Sequence, residues 1–81
     1  MEDKRSFAPY LKALLKRYPM AEVEKLEGYL YKVVLPKSLA TEYVKKILLK
    51  SSKVYDVGNW LPDDSMGYSR YLLVAMSKPE S

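Results

Sequence analysis

Two stretches, Tyr10-Leu11-Lys12-Ala13-Leu14-Leu15-Lys16-Arg17 and Tyr43-Val44-Lys45-Lys46-Ile47-Leu48-Leu49-Lys50, decide how this chain is read. Tyr, Lys and Leu recur at the first, third and sixth places, and the second, fifth and eighth places match in kind. The offset between them is about 33 residues. Each stretch precedes a charged, strand-like run and then a Tyr-Leu run, Tyr29-Leu30-Tyr31 in one copy and Tyr71-Leu72-Leu73 in the other. An internal repeat fixes architecture before any single element does, because each copy is one supersecondary unit. The unit here is a helix followed by two strands.

Outward from the first stretch, Phe7, Leu11, Leu14, Leu15 and Tyr18 fall on one face of a 3.6-residue period, with Lys12 and Lys16 opposite. Ser6 is a candidate cap, Pro9 is tolerated in the first turn, and Pro19 ends the helix. Residues 20–26 alternate Ala21 and Val23 with Glu22 and Glu24, the pattern of a half-exposed strand; a short helical turn is the competing reading. Glu27-Gly28 turns the chain into a β-rich run, Tyr29 to Leu35. Pro36-Lys37-Ser38 breaks the strand and caps a second helix whose apolar stripe is Ala40, Tyr43, Val44, Ile47 and Leu48. Ser51-Ser52 ends it, Lys53 to Val57 is a third strand, residues 59–67 form a long hairpin loop, and Ser69 to Met76 is the fourth strand.

The order α-β-β-α-β-β predicts an α+β fold: a two-layer sandwich of a four-stranded, mostly antiparallel sheet with both helices on one face, a permuted ferredoxin-like arrangement. A single domain over residues 6–78 with frayed tails at 1–5 and 79–81 accounts for all 81 residues. Strand alternation divides the sheet into two sets. Ala21, Val23, Tyr29, Tyr31, Val33, Leu35, Tyr55, Val57, Tyr71, Leu73 and Ala75 carry no charge and are expected under the helices. The open face then holds Leu30, Val34, Leu72, Val74 and Met76, rimmed by Glu22, Glu24, Lys32 and Arg70.

Composition narrows the chemistry. There is no Cys and no His, which excludes disulfides, thiolate nucleophiles, Ser-His-Asp triads and thiolate or imidazole zinc sites for this chain. Gln is absent and Asn59 is the one Asn, a usage resembling that of thermophile proteins. No apolar run approaches the roughly 18 residues of a membrane span, and no leader-like segment opens the chain, so a cytoplasmic protein away from membranes is expected. The net charge is +4 and the ends, Glu2-Asp3-Lys4-Arg5 and Lys78-Pro79-Glu80, are each internally neutral, so the excess lies in the folded part.

That excess concentrates on the helices. Lys12, Lys16 and Arg17 on the first, with Lys45, Lys46 and Lys50 on the second, form one basic surface if the helices lie side by side. Phosphate contacts from such a surface give sequence-independent, salt-sensitive binding, although only three Arg occur to make bidentate contacts. Eight tyrosines in a basic chain raise base stacking as another possibility. Arg70-Tyr71-Leu72-Leu73-Val74 lacks the Gly and Phe of the ribonucleoprotein octamer, and alternation sends most strand tyrosines to the core. Asp56, Asp63 and Asp64 are too few oxygens for a hard cation and read as turn formers. The doubled α-β-β order resembles the LAGLIDADG homing endonucleases, whose repeat helices end in glycines and a catalytic acid. These helices end Lys16-Arg17-Tyr18-Pro19 and Lys50-Ser51-Ser52, so that chemistry is missing and no family is assigned.

The expectation is a small binding protein without catalysis, cofactor or metal. Its first candidate function is nucleic-acid backbone binding through Lys12, Lys16, Arg17, Lys45, Lys46 and Lys50. The alternative is a protein-protein module, such as an inhibitor, adaptor or assembly subunit. It would act through Leu30, Val34, Leu72, Val74 and Met76 on the open face, with Leu49 on the second helix and Trp60 in the long loop. An exposed apolar strip of that kind leads to a homodimer formed through the sheet. Trp60, beside Leu61 and Pro62, is expected to anchor a contact rather than to plug the core.

Overall fold

A computed structural model describes residues 7–77. The expected tails at 1–5 and 79–81 and the Ser6 cap lie outside the described residues. The chain forms helix α1 (Ala8–Leu14), strands β1 (Glu22–Glu27) and β2 (Leu30–Pro36), a 3-10 turn at Lys37–Leu39, and helix α2 (Glu42–Leu49). Strands β3 (Val54–Val57), β4 (Leu61–Pro62) and β5 (Ser69–Met76) follow. The fold is α+β, with every strand pair antiparallel. The order across the sheet is β1-β2-β5-β3, and β4 pairs the other half of β5.

Both helices cover one face. Leu11 and Leu15 from α1 and its end, with Val44 and Leu48 from α2, pack on Tyr31, Val33 and Leu35 of β2 and on Leu72, Val74 and Met76 of β5. Among the described residues nothing polar or charged is fully buried, so the core is held by apolar burial, worth roughly 25 cal/mol per Å². The Tyr31 ring is fully buried, and its hydroxyl accepts a hydrogen bond from the Phe7 backbone N–H at 2.7 Å. The entry to α1 is tied to the sheet in this way. Gly28, at φ +55°, makes the two-residue β1–β2 turn possible, since a side chain there would be strained.

The strand expected at residues 20–26 is present as β1, with Val23 opposite Val33 in the core layer and Glu22 and Glu24 pointing away from it. Several other expectations are corrected. The second helix begins later than expected, at Glu42, and Lys37–Leu39 is a separate turn. The 59–67 loop contains a short strand, Leu61–Pro62.

The largest correction concerns β5. Tyr31 lies directly opposite Val74 and Val33 opposite Leu72, and directly opposed residues share a face. Leu72, Val74 and Met76 are therefore core residues, and Tyr71, Leu73 and Ala75 take the open face. Arg70, opposite Leu35, goes with the helix-side set. In β3 a bulge at Tyr55 turns both Val54 and Val57 inward and leaves Tyr55 75% exposed.

Candidate nucleic-acid interface

The two helices are short, and each buries a narrow stripe. In α1 the stripe through Leu11 and Leu15 leaves Lys12, Ala13, Lys16 and Arg17 exposed. In α2 burial centres on Val44 and Leu48, so Tyr43, Lys46, Leu49 and Lys50 remain outside. Tyr43 was expected in the apolar stripe. It sits one position off the stripe's centre, which on a helix is enough to carry a large side chain to the margin.

Two hydrogen bonds fix how the helices lie. The Tyr10 hydroxyl at the start of α1 pairs with Ser51 Oγ just beyond the end of α2. Arg17 Nη1, just beyond the end of α1, donates to the Tyr43 hydroxyl near the start of α2 at 3.4 Å. The helices are thus antiparallel neighbours. Lys12, Lys16, Arg17, Lys46 and Lys50 are exposed on or just beyond these two helices, with Tyr43 and Arg17 between them at one end.

Lys45 is turned elsewhere. Its Nζ donates to Asn59 Oδ1 at 3.0 Å and lies 3.4 Å from Glu42 Oε1, which ties α2 to the loop after β3. Its charge is already partnered, and of the six expected cations it is the least available. Asn59 was not foreseen in this role, and neither its spacing nor its residue type signals it.

Carboxylates are distributed unevenly between the layers. Among the described residues, Glu42 is the one carboxylate on either helix. Glu22, Glu24, Glu27, Asp56, Asp63 and Asp64 all belong to the strands or to the loops joining them. This separation makes the helix layer a positive surface with no carboxylates interleaved beyond Glu42.

The loop acids have structural roles. Asp63 pairs with Lys32 at 3.1 Å, and the Lys32 ammonium also lies 5.1 Å from the centre of the Tyr71 ring. The hydrogen bond to Asp63 raises the Lys32 pKa above the ordinary lysine range. Asp64 Oδ1 accepts from the backbone N–H of Gly67 and Tyr68 and closes the turn. Asp56 Oδ1 accepts from the Val57 N–H.

Of the residues expected at a protein contact, Leu30 and Val34 are on the open face, half-buried, and Leu49 is exposed on α2. Leu72, Val74 and Met76 are in the core and contribute nothing to that surface. Trp60 packs against the core, and its indole N–H donates to the Thr41 carbonyl oxygen at 2.9 Å. It joins the loop to the start of α2 while its ring stays half-buried. The open face gains Tyr71, Leu73 and Leu61 instead. A shallow groove of about 670 Å³ lies at its end, between Leu30, Tyr55 and Ala75.

No described helix is long and apolar enough to cross a membrane. No protein-family model, curated protein or solved structure matches this chain.

Proposed function

We propose that this protein binds the phosphate backbone of nucleic acid through the joined faces of its two helices. The distribution of carboxylates carries the reading: Lys12, Lys16, Arg17, Lys46 and Lys50 are exposed on or just beyond the two helices, and six of the seven described carboxylates lie elsewhere. Each Lys or Arg that neutralises a phosphate releases condensed counterions, so affinity falls linearly on a log–log plot against salt. Lys45, held by Asn59 and Glu42, is not among the contacts.

Fluorescence anisotropy with a labelled duplex at about 50 mM salt tests this. The parent protein binds, and the triple variant Lys16→Glu, Lys46→Glu, Lys50→Glu loses at least about 100-fold in affinity while circular dichroism stays unchanged. Single neutralisation of Lys16 or Lys46 reduces the salt slope by about 0.9, and Lys45→Ala leaves it where it was. Absence of binding by the folded parent, or equal binding by the triple variant, ends the proposal.

A second reading, a protein contact through the sheet, draws on one observation. Tyr55 and Leu61 are exposed beside the open-face residues Leu30, Tyr71 and Leu73. A homodimer through this face is its simplest form. Light scattering that gives a monomer mass across a wide concentration range removes the dimer.

A further inference from the structure

The reading above leaves open which nucleic acid the helix face takes. Resting on that reading, we infer that it binds duplex without regard to base sequence and discriminates against single strands. The first reason is that the two most exposed aromatic rings, Tyr55 and Tyr68, lie off the helix layer. Binding of single strands combines a cationic track with aromatic rings on which successive bases stack. Here the exposed or half-exposed rings of Tyr55, Tyr68 and Tyr71 belong to β3, β5 and the loop before it, on the layer that carries the carboxylates. On the helix layer Tyr43 is exposed and Tyr10 and Tyr18 are half-buried, and the hydroxyls of Tyr43 and Tyr10 are engaged by Arg17 and Ser51. One exposed ring and two half-buried ones are a poor platform for consecutive bases.

The second reason is the form of the surface. Lys12 lies on α1 and Lys16 two residues beyond it, and Lys46 lies on α2 and Lys50 one residue beyond it, so the members of each pair are separated by about one helical turn. Packed helices stand about 8–10 Å apart, and each carries its own short row of cations. Both rows are held by the core beneath and by the Tyr10–Ser51 and Arg17–Tyr43 bonds at the two ends. A fixed pair of rows suits the fixed phosphates of two strands, whereas a flexible single strand must be ordered to meet it. Neither helix stands free. The major groove, about 12 Å wide, admits one helix, and two helices side by side on a sheet cannot enter it. Contacts stop at the phosphates, which carry no sequence information.

The test uses the intact protein and four labelled probes of equal length: a duplex, its two separated strands, and a second duplex of opposite base composition. The expected result is at least tenfold tighter binding to the duplex than to either strand, with the two duplexes within about threefold. Five phosphate contacts imply a loss of about 500-fold in duplex affinity between 50 and 200 mM salt. Equal or tighter binding to a single strand overturns this inference but not the backbone reading. So does a large difference between the duplexes. No binding to any probe overturns both.

Discussion

Trp60 illustrates how much one side chain decides in a small domain. Its ring lies against the core, and its N–H satisfies the Thr41 carbonyl, the residue that precedes the first turn of α2. Truncation removes apolar contact and leaves that carbonyl to water. A fully buried Trp costs about 3–5 kcal/mol when cut to Ala. For this half-buried ring about 2 kcal/mol is expected, which in a domain this size lowers Tm by on the order of 10 °C. A thermal melt of Trp60→Ala decides it. A Tm within a degree or two of the parent returns Trp60 to the role of a surface anchor.

At the scale of the element, β5 separates two readings that differ by one residue. A one-residue shift exchanges every side chain between the faces of a sheet. The pairing of Tyr31 with Val74 puts Leu72 in the core and Leu73 on the open face beside Lys32. Leu72→Glu therefore buries an unpaired carboxylate, and the loss exceeds what a domain of about 4–12 kcal/mol can absorb. Leu73→Glu sets its carboxylate opposite Lys32 and stays within about 1 kcal/mol of the parent. Expression and circular dichroism of the two variants check the register. A folded Leu72→Glu with an unfolded Leu73→Glu would reverse the two faces.

On the scale of the whole molecule, the concentration of net positive charge on the helix layer has a cost in stability. Lys12, Lys16, Arg17, Lys46 and Lys50 repel one another across distances comparable to the Debye length at low salt, about 10 Å at 0.1 M. Sites kept for binding are commonly suboptimal for stability. Lys16→Gln with Lys50→Gln is thus expected to raise Tm at low salt. Raising salt to about 500 mM should stabilise the parent more than this variant, because screening removes the same repulsion. A Tm lower in the double variant, or a salt response identical in both, contradicts a crowded positive face.

The sequence by itself determined the elements and the class. Period 3.6 around Leu11 and Val44, period 2 in Tyr31-Lys32-Val33-Val34-Leu35, and turn residues at Gly28 and Pro36 are local properties, and local sterics and burial suffice to express them. It also placed the cations on the helices, since a Lys opposite an apolar stripe has nowhere to go but water. Tertiary structure decided what depends on partners distant in sequence. Residues 71–76 are uncharged throughout, so alternation alone cannot say which side faces the helices; β2, some 40 residues away, chooses through its hydrogen-bond register. The bulge that expels Tyr55 and the bond that diverts Lys45 to Asn59 arise in the same way. Each is an adjustment between two elements that meet only in the folded chain, and neither element carries its trace alone.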